Sequence, residues 1–104
     1  MSDDQHIYGE IDNKTNLREV FLQIRKDLEN ADSRAAITEL YRRAGYLITL
    51  SYADSWQKKF GDEIDEIRSV AADEFRTTAR RANDRAEEIG TESDYDEEWG
   101  QMKK

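Results

Sequence analysis

The 104-residue sequence contains no cysteine and no proline. Without cysteine the chain cannot form disulfides, zinc–thiolate sites or iron–sulfur clusters. The lack of proline is compatible with long uninterrupted helices, because proline breaks the hydrogen-bond ladder of a helix interior. The five glycines are scattered and form no phosphate-binding loop. We therefore predict that the protein carries no cofactor.

Catalytic and metal-binding patterns are also missing. The only histidine, His6, lies in the polar start of the chain, so a Ser–His pair has no credible base. No Glu-x-x-His motif accompanies the acidic residues of the last helix. Four of these acids could still gather a divalent cation, but acids near a helix start already have a capping explanation: Glu63, Glu66, Asp73 and Glu74. We expect no metal site and a protein that is not an enzyme.

The stretch from Ser33 to Gly90 dominates the fold. Its apolar residues recur mostly every three or four positions, which is the helical period. Gly61 suits the left-handed residue that ends many helices, and Asp62 suits the cap of the following helix. So short a connection at Phe60-Gly61-Asp62 makes the two helices antiparallel. The pattern predicts an all-α fold built on a long antiparallel helical hairpin.

A shorter helix precedes the hairpin. Asn16, with Glu19 three residues later, resembles a capping box, and the helix is expected from Leu17 to about Asn30. Its apolar residues form a single stripe: Leu17, Val20, Phe21, Ile24 and Leu28. We therefore expect a helical domain at residues 16–90, similar to a three-helix bundle. Residues 1–15 are predicted to be a flexible N-terminal segment, and residues 91–104 an acidic disordered tail.

Composition limits the core and the location. Hydrophobic residues make up 37% of the chain and charged residues 38%, with a net charge of −8. Such a small chain has a thin core and is either marginally stable or shares its core with a partner. The N-terminus has no signal-peptide pattern, and the longest apolar run is about half of the ~20 residues that span a bilayer. We expect a cytoplasmic protein that does not bind membranes.

Arginines form the first candidate site. The last helix is acidic in its first half and basic in its second, and an antiparallel hairpin would bring six guanidinium groups to one end: Arg42, Arg43, Arg76, Arg80, Arg81 and Arg85. Guanidinium groups bind phosphates and carboxylates, so a nucleotide, another small anion or an acidic peptide would fit. Two alternatives are a solvated face paired with nearby acids and a face covered by the acidic tail. The net negative charge disfavours direct binding to nucleic acid.

The second candidate site is an apolar surface on the second half of the hairpin's first helix. Its residues are Tyr46, Leu50, Tyr52, Trp56 and Phe60. Apolar character surrounds most of this helix, whereas the short first helix can cover only part of it. The pattern favours a partner-binding or self-association surface that buries Tyr52 and Trp56 in a homodimer or larger assembly. The alternative is an ordinary core with tyrosine hydroxyls at its rim.

The third candidate site is the acidic tail, where acids alternate with aromatic side chains: Asp94, Tyr95, Asp96, Glu97, Glu98 and Trp99. Its composition resembles that of short acidic-aromatic peptides that dock on basic surfaces. The alternative is a tail that only improves solubility.

These features predict a small helical interaction module that works by binding. The first hypothesis is a homo-oligomeric adaptor or regulator of another protein. The second is an acidic inhibitor or nucleic-acid mimic, of the type that phages encode, that binds a basic protein. The third is a protein that sequesters a nucleotide or anion with its arginine cluster. The helical pattern alone favours none of the three.

Overall fold

The structure, a computed structural model, describes residues 11–98 and contains four α-helices. These are α1 (Lys14–Leu28), α2 (Arg34–Ser51), α3 (Asp54–Phe60) and α4 (Ile64–Glu88), with a 3₁₀ turn at Gly61–Glu63. Within residues 11–98 the chain is 77% helical and has no strand. The prediction of an all-α, bundle-like fold is confirmed. Residues 1–10 and 99–104, with His6 and Trp99, lie outside the described part, as do the predictions made for them.

Helix α1 begins three residues earlier than expected. The side chain of Asn13, not that of Asn16, caps the helix, because its oxygen accepts from the backbone N–H of Asn16 at 2.8 Å. The two residues just before this cap, Ile11 and Asp12, contact the bundle, although the sequence predicted a flexible segment there. Ile11 is buried in the core, and Asp12 lies 3.2 Å from the ammonium of Lys59. Burial of one isoleucine is enough to fix the chain just before α1.

Helix α2 begins where predicted, since the Ser33 hydroxyl accepts from the N–H of Ala36 at 3.2 Å. It ends at Ser51, however, and does not continue to Phe60 as expected. The carbonyl of Ser51 accepts a hydrogen bond from Nε of Arg68 at 2.7 Å. An α4 side chain thus binds a carbonyl that would accept a backbone N–H if the helix continued. The positive guanidinium also favours a helix C-terminus at this point. The short helix α3 then begins at Asp54.

Two glycines end helices as the sequence indicates. Gly61 has φ +56° and ψ −123°, a conformation that favours glycine. Asp62 falls in the 3₁₀ turn and does not cap α4, which begins at Ile64 without a side-chain cap. Gly90 has φ +81°, and the hydrogen bonds from Gly90 N to Glu87 O and from Thr91 N to Ala86 O form a Schellman motif. This motif turns the chain back over the bundle.

The core lies between α4 and the two preceding helices. One face of α4 is buried along its whole length and packs against α1 and α2. Its members are mostly apolar and become small toward the C-terminal end: Ile64, Ile67, Ala71, Phe75, Thr78, Ala79, Ala82 and Ala86. Polar contacts support this packing, since Nη1 of Arg25 lies 2.8 Å from Glu74 Oε1 and 3.2 Å from Thr78 Oγ1. Helices α1 and α2 are therefore held by a common partner.

Among residues 11–98, no helix has both the length and the apolar character needed to cross a membrane.

The turn at Gly61 gives a first test. Gly61→Ala should lower the free energy of unfolding by about 1–3 kcal/mol, because alanine does not adopt this backbone conformation without strain. The added methyl group meets no atom within 4 Å, so the loss reflects the backbone and not a clash. Urea unfolding followed by circular dichroism measures it. The exposed neighbour Asp62→Ala is the control, with an expected change within about 0.5 kcal/mol. Equal stability of the two variants would contradict the assignment.

Candidate functional site: a groove that holds the C-terminal segment

The predicted apolar surface is split by the bend between α2 and α3. Trp56 and Phe60 are buried in the core, where their rings meet edge to face with centroids 5.3 Å apart. Tyr46 and Tyr52 remain 47% and 54% exposed, and Leu50 is partly buried. The guanidinium of Arg68 lies 4.8 Å from the centroid of the Tyr52 ring. Because the bend directs the last two aromatic residues inward, the five residues do not form one surface.

The predicted arginine cluster is also divided. Arg81 pairs with Glu29 of the α1–α2 link, and Arg85 donates to the carbonyl of Ala31 at 2.8 Å and lies 3.0 Å from Glu88. These two arginines therefore attach α4 to the link between α1 and α2. Their charges are balanced by the chain's own carboxylates.

Two further arginines lie on α2, away from the first pair. Arg43 lies 3.5 Å from Glu39 and lines a cleft of about 380 Å³ that also contains Asp27. Arg42 is exposed on the outer face of the helix. The acids in the cleft, Asp27 and Glu39, would repel a bound anion. Arg42 and Arg43 therefore do not form a common anion site with the arginines of α4.

Arg76 and Arg80 face the C-terminal segment of the chain. Residues 91–98, here called the tail segment, run without helix over the surface between α2 and α4. The sequence predicted a disordered tail, yet Tyr95 is only 8% exposed. The difference arises because the turn at Gly90 directs the chain into a groove that accepts the Tyr95 ring. We call this surface the tail groove; it is formed by Arg34, Thr38, Tyr41, Arg76, Arg80 and Asn83.

Tyr95 is the anchor of the tail segment. Its ring lies between the guanidinium of Arg34, 4.9 Å from the ring centroid, and the ring of Tyr41, whose centroid is also 4.9 Å away. Tyr41 in turn contacts the buried ring of Phe75 at 5.6 Å. The Tyr95 hydroxyl shares a hydrogen bond with the hydroxyl of Thr38 at 2.6 Å. Full burial of an aromatic side chain contributes about 1.5–3 kcal/mol, more than any other single contact of this segment.

The groove also binds the backbone of the tail segment. Asn83 forms two hydrogen bonds with Tyr95: its amide donates to the Tyr95 carbonyl at 2.9 Å, and its oxygen accepts from the Tyr95 N–H at 2.8 Å. Arg34 donates to the carbonyl of Glu92 at 2.7 Å, and the Tyr41 hydroxyl donates to the carbonyl of Asp96 at 2.9 Å. These contacts satisfy backbone groups that have no helical partner.

Ion pairs flank the anchor. Asp94 lies 2.8 Å from Nη2 of Arg34. On the other side of Tyr95, Glu97 lies 3.1 Å from Nε of Arg80. One residue further, Glu98 lies 3.5 Å from Nε of Arg76. Two acids of the third candidate site, Glu97 and Glu98, therefore meet two arginines of the first. Asp96 differs, because its carboxylate accepts from the N–H of Glu98 within the segment.

The environment of the groove shifts three pKa values. Burial, together with the nearby charge of Asp96, raises the pKa of Tyr41 from 10.0 to about 12. The hydrogen bond between Arg34 and Asp94 lowers the pKa of Asp94 and raises that of Arg34. Because the pKa of Asp94 is lowered on docking, its contribution is present above its ordinary value of 3.8 and is lost as the pH falls through the lowered value. The docked segment is thus compatible with neutral pH.

Three of the four acids named as possible cation ligands have other partners. Glu66 lies 3.2 Å from Lys14, Asp73 lies 3.3 Å from Arg76, and Glu74 pairs with Arg25. Within residues 11–98, no group of three or more metal-ligating side chains is assembled. Glu66 and Glu74 thus pair with residues of α1, whereas Asp73 pairs within α4.

Four residues of the groove were not identified from the sequence: Arg34, Thr38, Tyr41 and Asn83. Only Asn83 left a signal, since asparagine is a poor helix former and lies in the middle of a long helix next to the apolar stripe. The other three have side chains that are common on helix surfaces. Their role depends on where the tail segment lies, which periodicity does not show.

Comparison with protein-family models, with curated proteins and with solved structures found no match.

The raised pKa of Tyr41 gives a second test. Because docking raises this pKa, its stabilising contribution is complete below pH 10.0 and is lost as the pH rises through about 12. Tyr95→Ala removes the covering ring and should return the Tyr41 pKa toward 10.0. Ultraviolet absorbance of tyrosinate, compared with and without Tyr41→Phe, measures it, and Tyr46→Phe controls for the loss of one exposed tyrosine. An unchanged titration of Tyr41 in the Tyr95→Ala chain would contradict the packing described.

Proposed function

We propose that this chain is a non-enzymatic interaction module, an adaptor or regulator of another protein, and that the tail groove is its binding site. The observation that carries the proposal is the pair of hydrogen bonds between Asn83 and the backbone of Tyr95. A side chain that bonds both the N–H and the C=O of one residue holds an extended peptide without depending on that peptide's own helix or strand. Recognition of extended peptides commonly combines such backbone bonds with a pocket for one side chain.

The groove is also well supported. Arg34, Thr38 and Tyr41 lie on α2, whereas Arg76, Arg80 and Asn83 lie on α4, and the two helices pack together through the core. Binding residues on packed helices keep their positions when the ligand leaves, which lowers the entropy lost on binding. The groove therefore has the rigidity that a peptide site needs.

The chain's own tail segment occupies the groove, and this contact is releasable. Ordering one residue costs about 1–2 kcal/mol, while an exposed ion pair such as Glu97–Arg80 contributes about 0–1 kcal/mol. Docking therefore depends on burial of Tyr95 and on the backbone bonds. Gly90 and Thr91 are hydrogen-bonded to the end of α4 by the Schellman motif, so residues 92–98 can leave the groove without disturbing the helix. A partner segment would bind by displacing it.

The test uses the full chain and a labelled, acetylated and amidated peptide with the sequence of residues 91–98. In the Tyr95→Ala chain the groove loses its internal ligand, so the peptide should bind with one-to-one saturation, measured by fluorescence anisotropy. The wild-type chain should bind the peptide at least about tenfold more weakly, because the tethered segment competes for the groove at an effective concentration of about 1 mM.

A matched pair of variants locates the binding. Asn83→Ala, added to the Tyr95→Ala chain, should abolish peptide binding while helical content is retained. Asn30→Ala in the same background should bind normally, since Asn30 lies in the α1–α2 link. Absence of peptide binding to the folded Tyr95→Ala chain would refute the proposed site.

Self-association is a second candidate function, and the exposed ring of Tyr46 favours it. Tyr46 is 47% exposed and lies one helical turn from Arg42 and one turn from Leu50, on the outer face of α2. If this face joins two copies, sedimentation equilibrium should show a dimer that Tyr46→Ser weakens. Leu22→Ser is the control, because Leu22 is 44% exposed on α1. A wild-type chain that stays monomeric at high concentration would exclude this candidate.

The anion-sequestering hypothesis receives less support from the geometry. Within residues 11–98, five of its six arginines lie within ion-pair distance of the chain's own carboxylates: Arg43, Arg76, Arg80, Arg81 and Arg85. A free anion would have to displace these acids. The inhibitor hypothesis also receives less support, because ordered acids of the tail segment already face arginines of the same chain.

A further inference from the structure

We infer that the partner presents an extended acidic segment with a single tyrosine, in which acids stand one residue before the tyrosine and two and three residues after it. This inference rests on the proposed function of the tail groove and names the kind of partner that it fits. The pattern is taken from the positions that the groove contacts around Tyr95, and each position makes a separate demand on the ligand.

The contacts of the tail groove first define the direction in which a bound segment runs. Along α4, contacts move from Asn83 to Arg80 and then to Arg76, while the tail segment advances from residue 95 to residues 97 and 98. The bound segment therefore runs antiparallel to α4. On α2 the order is reversed: Arg34 contacts residues 92 and 94, and Tyr41 contacts residue 96. The segment is thus parallel to α2, and a peptide in the opposite direction would lose this register.

The central position demands a tyrosine. A flat ring fits between the Arg34 guanidinium and the Tyr41 ring, and the hydroxyl reaches Thr38 at 2.6 Å and the carbonyl of Arg34 at 3.5 Å. Phenylalanine retains the stacking but loses the hydroxyl contacts. An aliphatic side chain loses the cation–π contact as well.

The flanking positions demand negative charge. Arg34 faces position −1 relative to the tyrosine, Arg80 faces position +2 and Arg76 faces position +3. Five of the eight residues of the tail segment are acidic, and three arginines in the groove meet it. Opposite charges at fixed positions contribute mainly to specificity and association rate, so a basic segment is rejected even where its backbone fits.

A separate protein is a better occupant than a second copy of this chain. A second copy carries the same tail segment, so it gains no contact that the tethered segment lacks. The tether raises the local concentration of the internal segment to roughly 1 mM, which an identical segment in solution cannot match at ordinary protein concentrations. A partner segment that extends the same pattern with further contacts can displace it.

The experiment compares peptides on the full Tyr95→Ala chain, whose groove is open. The probes are the peptide of residues 91–98, its Tyr95→Phe and Tyr95→Ala versions, a charge-reduced version with Asp94→Asn, Glu97→Gln and Glu98→Gln, and the same residues in reversed order. We expect about a tenfold or larger loss of affinity for Tyr95→Ala and for the reversed peptide, and a smaller loss for Tyr95→Phe. The charge-reduced peptide should bind more weakly and with less dependence on salt than the original peptide.

A charge exchange tests the register. Arg80→Glu in the open-groove chain should weaken the original peptide, and a peptide with Glu97→Arg should recover at least part of the affinity. The same peptide should bind poorly to the chain that keeps Arg80. Recovery at this one position would tie residue 97 to residue 80 in the bound state. Lack of recovery, with both chains folded, would overturn the assigned register.

The outcomes separate this inference from the proposed function. If no peptide binds the open groove, the proposed function itself fails. If all probes bind equally well, the groove binds peptides but the acidic-tyrosine pattern is refuted. If the wild-type chain forms a dimer that Tyr95→Ala abolishes, the occupant is a second copy and the assignment to a separate partner is overturned.

Discussion

The buried face of α4 is the contact on which the other parts of the molecule depend. Helices α1 and α2 both pack against it, and its ring at Phe75 touches Tyr41, which in turn touches Tyr95. One continuous set of aromatic contacts therefore joins the core to the surface groove. Toward the C-terminal end the same face consists of alanines, which allow the neighbouring helices to approach closely. Any change that shifts α4 should therefore also shift the groove.

Arginines have two different roles in this structure. Arg68 and Arg85 extend from α4 to backbone carbonyls at Ser51 and Ala31, where helices end or change direction. Charged hydrogen bonds to such carbonyls replace the partners that an uninterrupted helix would supply. Arg76 and Arg80, by contrast, face the tail segment from an exposed surface. The first pair binds the backbone of the bundle, whereas the second pair contacts acids of the tail segment.

The tail groove connects the acidic character of the chain with its proposed role. Three acids near the C-terminus, Asp94, Glu97 and Glu98, face arginines on α2 and α4. Exposed pairs of this kind add little free energy, whereas they discriminate strongly between acidic and basic ligands. In the function that we propose, a partner segment displaces this internal segment from the groove.

Much of the fold could be predicted because helical periodicity and end signals are local. Three features follow from residues close in sequence: the start of α2 after Ser33, the glycine turns at Gly61 and Gly90, and the apolar stripe of α1. The break after Ser51 could not be predicted, since the carbonyl at this break is bound by the side chain of Arg68, seventeen residues away. The same break sends Trp56 into the core, although its sequence context predicted an exposed surface.

The candidate site follows the same division. Composition and spacing determined that the protein is all-helical, that its last helix carries arginines in its second half, and that acids alternate with aromatic residues near the C-terminus. Only the tertiary structure decided that Tyr95 is buried and that Arg34 and Asn83 hold it, because these contacts join residues up to 61 positions apart. Local periodicity reports which face of a helix is apolar. It does not report which distant segment covers that face, since packing between α2, α4 and residues 91–98 decides it.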